Sequence, residues 1–275
     1  MKTVRLPSGD AMPAFGMGTW FMGEKRADRP REVAALRRGL DLGVQLIDTA
    51  EMYGEGGAEE VVGEAIAGRR DGLFIVSKVY PHNASRKGAI AACERSLKRL
   101  KTDRLDLYLL HWRGNVPFAE TVEAFEALRA AGKIRHWGVS NLDSGDMQEL
   151  WSVSQAAQAN QLLYNLTRRG IEWDLLPWQR ERRIPTMAYS PIEQARLLNN
   201  RALAGFAKRH GMTPAQAALA WLLAKDDIVV IPKASDPAHL EDNFGSMNVK
   251  LTRPQLAELD RAFPAPKGPG PLEML

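Results

Sequence analysis

Ionisable and amide-bearing side chains close several short apolar runs of this sequence. Asp48, Lys78 and His111 each come directly after such a run. A second group of polar residues lies at or shortly after the ends of later runs, namely Ser140, Asn141, Gln161, Asn165, Tyr189, Ser190 and Lys233. Carboxylate, amine and imidazole groups transfer protons in enzymes. One such residue could simply cap its strand, but their recurrence at several strand ends indicates a functional site.

Apolar runs with strand character alternate with amphipathic stretches along the chain. The strand-like runs are residues 17–18, 46–47, 73–76, 105–110, 134–139, 159–162, 186–189 and 228–231. Helical spacing falls between them, as in residues 33–40, 61–66, 90–100 and 122–128. Gly43, Gly68 and Gly132 follow three of these stretches, where glycine typically ends a helix. The alternation predicts parallel strands joined by right-handed crossovers.

The number of strands favours a closed barrel. Eight runs in 275 residues predict an α/β fold of the (β/α)8 TIM-barrel type, as a single domain over residues 1–275, rather than an open doubly wound sheet. Residues 4–6 and 11–13 flank a turn, which predicts a short N-terminal β-hairpin. Residues 264–275 begin with a Pro/Gly-rich stretch and are expected to form an extended tail. In such barrels the carboxyl ends of the strands carry the active site.

Composition limits the class of protein and its partners. Apolar residues make up 45% and charged residues 25%, and 37 basic against 33 acidic residues leave a formal charge of +4. These values are typical of a globular protein. The basic residues occur as scattered pairs without interleaved aromatic residues, so no nucleic-acid partner is expected. The most apolar run, residues 215–224, is too short to span a membrane and predicts a buried helix.

Cysteine usage and the start of the chain bear on the compartment. Cys93 is the only cysteine, so no intrachain disulfide can form, and its helical surroundings predict a buried structural thiol. The first residues carry no apolar segment of an export signal. We therefore expect a cytoplasmic protein with no membrane partner.

Seven strings resemble, in family order, the signatures of the aldo-keto reductase superfamily. They are LIDTAEMYG at 46–54, VSK at 76–78, LYLLHW at 107–112, GVSN at 138–141, QLLYN at 161–165, AYSP at 188–191 and IPKAS at 231–235. The resemblance extends from Gly18 to Asn243. It is closest to the compact bacterial members that reduce small aldehydes, including methylglyoxal reductases.

The resemblance implies NAD(P)H-dependent reduction of a carbonyl group, with Tyr53 as the general acid. A free phenol titrates near 10, and the ammonium group of Lys78 is expected to bring the pKa of Tyr53 closer to neutrality. Asp48 would keep Lys78 charged and oriented. His111, as a neutral imidazole, would orient the substrate oxygen. The alternative is that these residues have only structural roles. Asp48 and Lys78 would then form a buried ion pair, Tyr53 would be an aromatic residue of a loop, and His111 would be a histidine of the core.

A dinucleotide site is implied at the barrel mouth rather than on a Rossmann motif, because Phe21 stands where the third glycine of G-x-G-x-x-G belongs. The implied binding residues are Gly18, Thr19, Trp20 and Asp48 at the ribose and nicotinamide, Ser140, Asn141 and Gln161 at the carboxamide, Tyr189 beneath the ring, and Ser190 and Ile192 near the pyrophosphate.

The choice between the two coenzymes depends on the segment after the last strand. Lys233 and Ser235 precede a helix-start signal, and a lysine beside a helix N-terminus suits the 2′-phosphate of NADPH. NADP(H) is therefore the expected cofactor, with NAD(H) possible. His239 stands where the family often has Arg, and Asp242 stands where Glu is usual, beside the matching Asn243. The change at His239 predicts weaker selectivity for NADP(H).

The expected substrate is a small-molecule carbonyl compound. Trp20, Phe21, Tyr80 and Trp112 are candidates for an apolar wall around the reacting group. Only residues 113–116 separate His111-Trp112 from the next helix start, which predicts a short, open pocket. Small aldehydes and 2-oxoaldehydes are expected in preference to steroids, and a monomer is the expected state.

Other functions stay open on the sequence alone. One is a cofactor-binding module with little turnover, as the potassium-channel β-subunits of this superfamily approach. Another is a Schiff-base lysine at Lys78 in an aldolase-like barrel. A metal-dependent hydrolase is disfavoured, because the five histidines show no ligand spacing.

Overall fold

A closed barrel of parallel strands forms the centre of the protein. The computed structural model describes residues 2–275, and within them one eight-stranded sheet runs in chain order from residue 16 to residue 230. The first and last strands meet through bridges between Phe15 and Val230 and between Gly18 and Lys233. The predicted α/β barrel is confirmed.

The hairpin strands β1 and β2 precede the barrel strands β3 to β10. Their bounds are Thr3–Arg5, Ala11–Pro13, Gly16–Gly18, Leu46–Asp48, Phe74–Val79, Leu105–Leu110, Ile134–Ser140, Asn160–Leu163, Thr186–Tyr189 and Ile228–Val230. Residues 2–275 also contain ten α-helices. In order, α1 to α10 are Arg29–Asp41, Gly57–Ala65, Arg86–Leu100, Phe118–Ala130, Ser144–Val153, Leu175–Glu181, Arg201–Arg209, Pro214–Leu223, Pro237–Gly245 and Arg253–Ala262. Short 3₁₀ turns lie at 53–56, 81–83, 170–172, 193–199 and 246–248.

Most element predictions agree with the structure. The antiparallel hairpin is present, and Gly43, Gly68 and Gly132 all have the left-handed φ that suits glycine after a helix. Cys93 is fully buried in α3, and burial raises the pKa of its thiol to about 12, as expected for a structural cysteine.

One strand boundary differs in a way that matters for the site. Strand β5 continues to Val79, because its ladder with β6 extends to the Val79–Leu110 pair. Lys78 therefore lies within the strand rather than after it, and its side chain is fully buried at the mouth of the barrel.

The core is the barrel interior together with the faces of the surrounding helices. Every residue of β5 and β6 is buried, as expected for central parallel strands covered on both faces. Helix α8 is also buried along most of its length. Of the helices within residues 2–275, none combines the length and the apolar character that crossing a membrane requires.

A close contact between two glycine backbones supports the loop that carries Tyr53. Gly23 has a φ of 74°, and a Cβ atom placed on it would lie 2.1 Å from the carbonyl carbon of Gly57. A Cβ atom on Gly57 would lie 2.4 Å from the Gly23 oxygen. Side chains at either position would push apart the turn at 53–56 and the loop after β3.

Replacing Gly23 by alanine should therefore destabilise the protein more than the same change at Gly68, which has the same φ of 74° but open space around its Cβ position. Gly68→Ala should cost about 1–2 kcal/mol for the left-handed backbone. Gly23→Ala should cost about a further 1–3 kcal/mol for the clash. Free energies of unfolding from urea titrations test the difference. Equal losses in the two variants would contradict the role given to this contact.

Candidate active site

The carboxyl ends of neighbouring strands bring four of the predicted residues together. Asp48 ends β4, Lys78 is the penultimate residue of β5, and His111 follows β6. Tyr53 reaches the same place from the turn after β4. Because adjacent parallel strands end at one rim of a barrel, their terminal side chains converge there.

Lys78 is the central group of this cluster. Its ammonium nitrogen donates hydrogen bonds to Asp48 Oδ2 at 2.8 Å, to the Thr49 carbonyl oxygen at 2.9 Å and to the Tyr53 hydroxyl at 3.1 Å. An ammonium group has three N–H donors, so all of them are used. The Tyr53 oxygen accepts a bond from Lys78, and its own hydrogen is left to donate elsewhere.

Asp48 is anchored from two sides. One carboxylate oxygen faces Lys78, and the other accepts a 2.7 Å hydrogen bond from Gln161 Nε2. The Asp48 carbonyl oxygen accepts a further bond from the Thr19 hydroxyl at 2.9 Å. Lys78 of β5 and Gln161 of β8 thus fix the Asp48 carboxylate, and Thr19, which follows β3, fixes the Asp48 backbone. The carboxylate in turn fixes the direction of the Lys78 amine.

The electrostatics differ from the sequence expectation at Tyr53. Burial raises the pKa of Tyr53 above its ordinary value, and Lys78 lowers it only in part, because Asp48 opposes the ammonium charge. Lys78 does lower the pKa of Tyr53, as predicted, but the predicted net lowering is wrong. A raised pKa keeps the Tyr53 hydroxyl protonated at neutral pH.

The Schiff-base alternative for Lys78 is not favoured by its surroundings. Burial by itself lowers the pKa of Lys78, but the charge of Asp48 and the neighbouring Tyr53 raise it above the ordinary value. A nucleophilic lysine must lose its proton, and this one is held in the charged form.

Among residues 2–275, no three His, Cys, Asp or Glu side chains lie where they could share a metal ion.

His111 lies beside Tyr53 as an uncharged ring. The two rings meet edge to face with centroids 5.7 Å apart, and the His111 ring is buried. Burial lowers the pKa of His111 well below its ordinary value, and the charge of Lys78 lowers it further. The ring is therefore neutral at neutral pH. Its Nδ1 atom has no hydrogen-bond partner among the described residues.

Two cavities open on either side of Tyr53. The larger, about 380 Å³, extends from Tyr53 to Lys233, and the smaller, about 250 Å³, lies over His111. Trp20, Tyr53 and Tyr189 line both. The larger cavity is lined by all the residues that were predicted to bind the ribose, the nicotinamide ring and the pyrophosphate, namely Gly18, Thr19, Trp20, Asp48, Tyr189, Ser190 and Ile192.

The predicted carboxamide residues form a polar corner of the smaller cavity. Asn141 Nδ2 donates to the Ser140 hydroxyl at 3.2 Å, and the Ser140 hydroxyl donates to the Gln161 carbonyl oxygen at 3.0 Å. The Tyr189 hydroxyl donates to Asn141 Oδ1 at 3.0 Å. Asn141 has a left-handed φ of 55°, which asparagine tolerates better than most residues. This corner is built from hydroxyl and amide groups, the kinds of group that can bind a primary amide.

The apolar wall differs from the sequence prediction. Trp20 and Trp112 line the smaller cavity with His111, but Phe21 lines the larger one, stacked on Trp20 at 4.3 Å. Tyr80 lies outside both cavities and meets the edge of Trp112. Its backbone N–H is held by the buried carboxylate of Glu51, and a 3₁₀ turn begins at the next residue.

Part of this wall comes from residues that the sequence did not predict there. Met52, Met274 and Leu275 also line the smaller cavity. Met52 stands beside Tyr53 in the string LIDTAEMYG, so the sequence does indicate that it lies near the site. Met274 and Leu275 come from the tail, whose residues 264–275 contain no helix or strand, and no local pattern indicated that the tail reaches the site.

The predicted phosphate and adenine residues lie at the far end of the larger cavity and on helix α9. Lys233 lines that cavity, its amine lies 3.3 Å from the Ser235 hydroxyl, and burial lowers its pKa. His239 is exposed, and Asn243 is buried in α9. Asp242 already accepts hydrogen bonds from Thr213 and Gln216 at the start of α8, so it fastens two helices together.

Comparison with known proteins identifies the family. The model of the aldo/keto reductase family matches residues 14–263. Methylglyoxal reductase YeaE of Escherichia coli is 54% identical over 98% of this chain and 97% of its own length. Glyoxal reductase of Bacillus subtilis is 33% identical over 99% of this chain and 97% of its own. An aldo/keto reductase from Klebsiella pneumoniae, crystallised with NADP and acetate, superposes with a TM-score of 0.96 at 50% identity, covering 100% of this chain and 99% of that chain.

The buried neutral His111 predicts a pH dependence of stability. Its pKa in the folded protein lies well below the value of 6.5 for a free histidine, so the unfolded chain binds the extra proton first. Stability is then full above about pH 6.5 and is lost as the pH falls, by up to about 1.4 kcal/mol per pH unit. A His111→Gln variant should lack this component. Unfolding titrations of both proteins between pH 7 and 5 measure it, and parallel curves would show that His111 is not buried in its neutral form.

Proposed function

The chain belongs to the aldo/keto reductase family, and on this premise we propose that it is an NADPH-dependent oxidoreductase of small aldehydes and 2-oxoaldehydes. In this proposal Tyr53 is the general acid, Lys78 and Asp48 support it, and His111 orients the substrate oxygen. One observation carries the proposal: the Tyr53 oxygen accepts a hydrogen bond from a lysine whose other donors are occupied, in a cavity that Tyr53 shares with His111.

Reduction of a carbonyl adds a hydride to carbon and a proton to oxygen. The oxygen gains negative charge as the reaction proceeds, and a hydrogen bond that strengthens with that charge lowers the barrier. The free hydrogen of Tyr53 can be donated to that oxygen. As the proton leaves, the developing phenolate is stabilised by the Lys78 ammonium at 3.1 Å. The fixed ammonium thus acts mainly when the proton is transferred.

A neutral His111 suits the second contact to the substrate oxygen. If the His111 ring were a charged imidazolium, it and the Lys78 ammonium would repel each other. The lowered pKa of His111 keeps the ring neutral and so avoids this repulsion. A neutral ring still offers one N–H donor. Two donors, Tyr53 and His111, then hold the oxygen, so the carbonyl carbon has a defined position in the cavity.

The chain's residues fit the coenzyme in type and arrangement. Ser140, Asn141 and Gln161 offer a corner suited to the carboxamide, and the Tyr189 ring borders both cavities, where it can cover one face of the nicotinamide. When bound, the reduced nicotinamide supplies the hydride. Lys233 lines the distal end of the larger cavity, which supports binding of a phosphate there. A relative of this chain was crystallised with NADP.

The proposed substrate class follows from the size and lining of the smaller cavity. About 250 Å³ lies between Trp20, Trp112 and the tail residues Met274 and Leu275. This volume is at or below the low end for drug-sized ligands. Two relatives carry the names methylglyoxal reductase and glyoxal reductase, which are names of small 2-oxoaldehyde reductases.

Removal of the Tyr53 hydroxyl should abolish most turnover and spare coenzyme binding. Tyr53→Phe loses the proton donor but keeps the ring, so the rate of methylglyoxal reduction should fall by about 10²–10⁴-fold. Quenching of tryptophan fluorescence by NADPH should stay at the wild-type level. Tyr80→Phe is the matched control, because Tyr80 lies outside both cavities, and it should keep its activity. Wild-type turnover in Tyr53→Phe would refute the assignment of the acid.

The substrate class is tested by the ratio of kcat/KM for methylglyoxal to that for a bulky ring ketone such as a steroid. The short cavity should favour the 2-oxoaldehyde by more than about tenfold, since even one misfitting methylene group can cost that much. The oxidation of reduced nicotinamide is followed by absorbance, with NADPH and NADH in turn. A higher kcat/KM for the ring ketone than for methylglyoxal would contradict the proposed substrate class. Faster turnover with NADH than with NADPH would contradict the proposed coenzyme.

A further inference from the structure

One arginine connects two segments that line different cavities of the active site. Arg168 Nη1 lies 2.6 Å from Glu273 Oε1, and its Nε and Nη2 atoms donate to Glu193 Oε1 at 3.1 and 3.0 Å. Glu193 follows β9, and Glu273 lies 80 positions later in the tail. Arg168 belongs to neither segment, since it follows β8. The arginine fork therefore joins chain segments that no secondary structure connects.

The first segment is the 190–199 loop, which forms one wall of the larger cavity. Ser190, Glu193, Gln194 and Ala195 all have left-handed φ values, of 45°, 51°, 51° and 69°. Residues other than glycine rarely adopt this conformation, so the surrounding structure must hold the loop in place. Ser190, Gln194 and Ala195 line the cavity, whereas Glu193 faces the protein and is buried.

Glu193 is the internal anchor of this loop. Its carboxylate accepts hydrogen bonds from Arg168, from Asn165 Nδ2 at 2.8 Å and from Arg196 at 3.1 Å. Burial alone would raise the pKa of Glu193, but the bonds from Arg168 and Asn165 keep it below its ordinary value. Asn165 also donates to the Ser190 carbonyl oxygen at 3.0 Å. The buried carboxylate thus depends on Arg168 for much of its compensation.

The second segment is the C-terminal segment, residues 272–275. It lies in a stretch without helix or strand, so side-chain contacts must position it. Leu272 packs against the core, Glu273 pairs with Arg168, and Met274 and Leu275 line the smaller cavity. The ion pair is partly exposed, at 35% for Arg168 and 41% for Glu273. Such a pair contributes little to the stability of the whole fold, but it can select one position of a loose segment.

We propose that Arg168 is a positioning residue that holds the 190–199 loop and the C-terminal segment as one unit and thereby sets the size of carbonyl compound that the site accepts. This inference rests on the proposed function for its substrate readout. Arg168 is not among the residues that line either cavity, so it acts through Glu193 and Glu273 rather than by touching the reactants.

The first test needs neither turnover nor coenzyme. Amide hydrogen exchange, measured by mass spectrometry on the full chain, should be faster in both segments of Arg168→Met than in the wild type. Glu273→Gln should mainly affect residues 272–275. Asp227→Asn is the matched control, because it removes the carboxylate partner of Arg180 at the opposite end of the barrel, and it should change neither segment. Faster exchange in only one segment of Arg168→Met would overturn the proposal that the two move as a unit.

The second test measures substrate discrimination. In Arg168→Met and Glu273→Gln, KM for methylglyoxal should rise at least threefold with a smaller change in kcat, and the preference over a bulky ring ketone should narrow at least fivefold. Arg168→Lys keeps the charge but lacks the planar fork, so it should restore only part of the preference. An unchanged preference in both variants would refute the specificity role. Failure of the wild type to reduce any carbonyl would refute the proposed function, and hydrogen exchange would still decide whether the bridge exists.

Discussion

The buried ion pair between Asp48 and Lys78 is the interaction on which the rest of the site depends. Both side chains are almost fully buried, at 4% and 0% exposure, so each has lost its hydration and must be compensated by the protein. Removing one partner of such a pair typically costs about 3–5 kcal/mol. The pair is tolerated because Gln161, Thr49 and Tyr53 use the remaining donors and acceptors. The register of the strands that carry these residues therefore also fixes the geometry of the site.

Burial and this pair together explain why the pKa of Tyr53 is not lowered. Burial is the largest influence on the pKa of Tyr53 and raises it, and the Asp48 carboxylate opposes the lowering effect of the Lys78 ammonium. A sequence motif indicates that a lysine stands near a tyrosine, but the net field depends on how much of each charge is buried and on what neutralises it. A general acid needs to keep its proton until the substrate oxygen becomes basic. The compensated pair meets that need better than an isolated ammonium group would.

The parts of the molecule that the sequence predicted well are those encoded locally. The strand and helix periods, the glycines after helices and the polar residues at strand ends all reflect short-range physics, and they led to Asp48, Lys78 and His111. The missed parts depend on long-range contacts. Nothing near Met274 indicates that it reaches the barrel mouth, and Tyr80 misses the cavity because Glu51 holds its backbone and the chain then turns away. The left-handed residues of the 190–199 loop have no glycine to mark them.

The locally encoded strand ends and the segments that depend on long-range contacts contribute differently to the site. Asp48, Lys78 and His111 stand at strand ends, and Tyr53, on the turn after β4, is tied to them by its hydrogen bond from Lys78, so the groups proposed to move the proton have fixed positions, as reacting atoms need. Part of the lining of the two cavities comes from the 190–199 loop and the C-terminal segment, which the Arg168–Glu193 and Arg168–Glu273 pairs hold in place. In the proposed function the barrel thus carries the chemistry, and the proposed control over substrate size lies with the two segments that Arg168 joins.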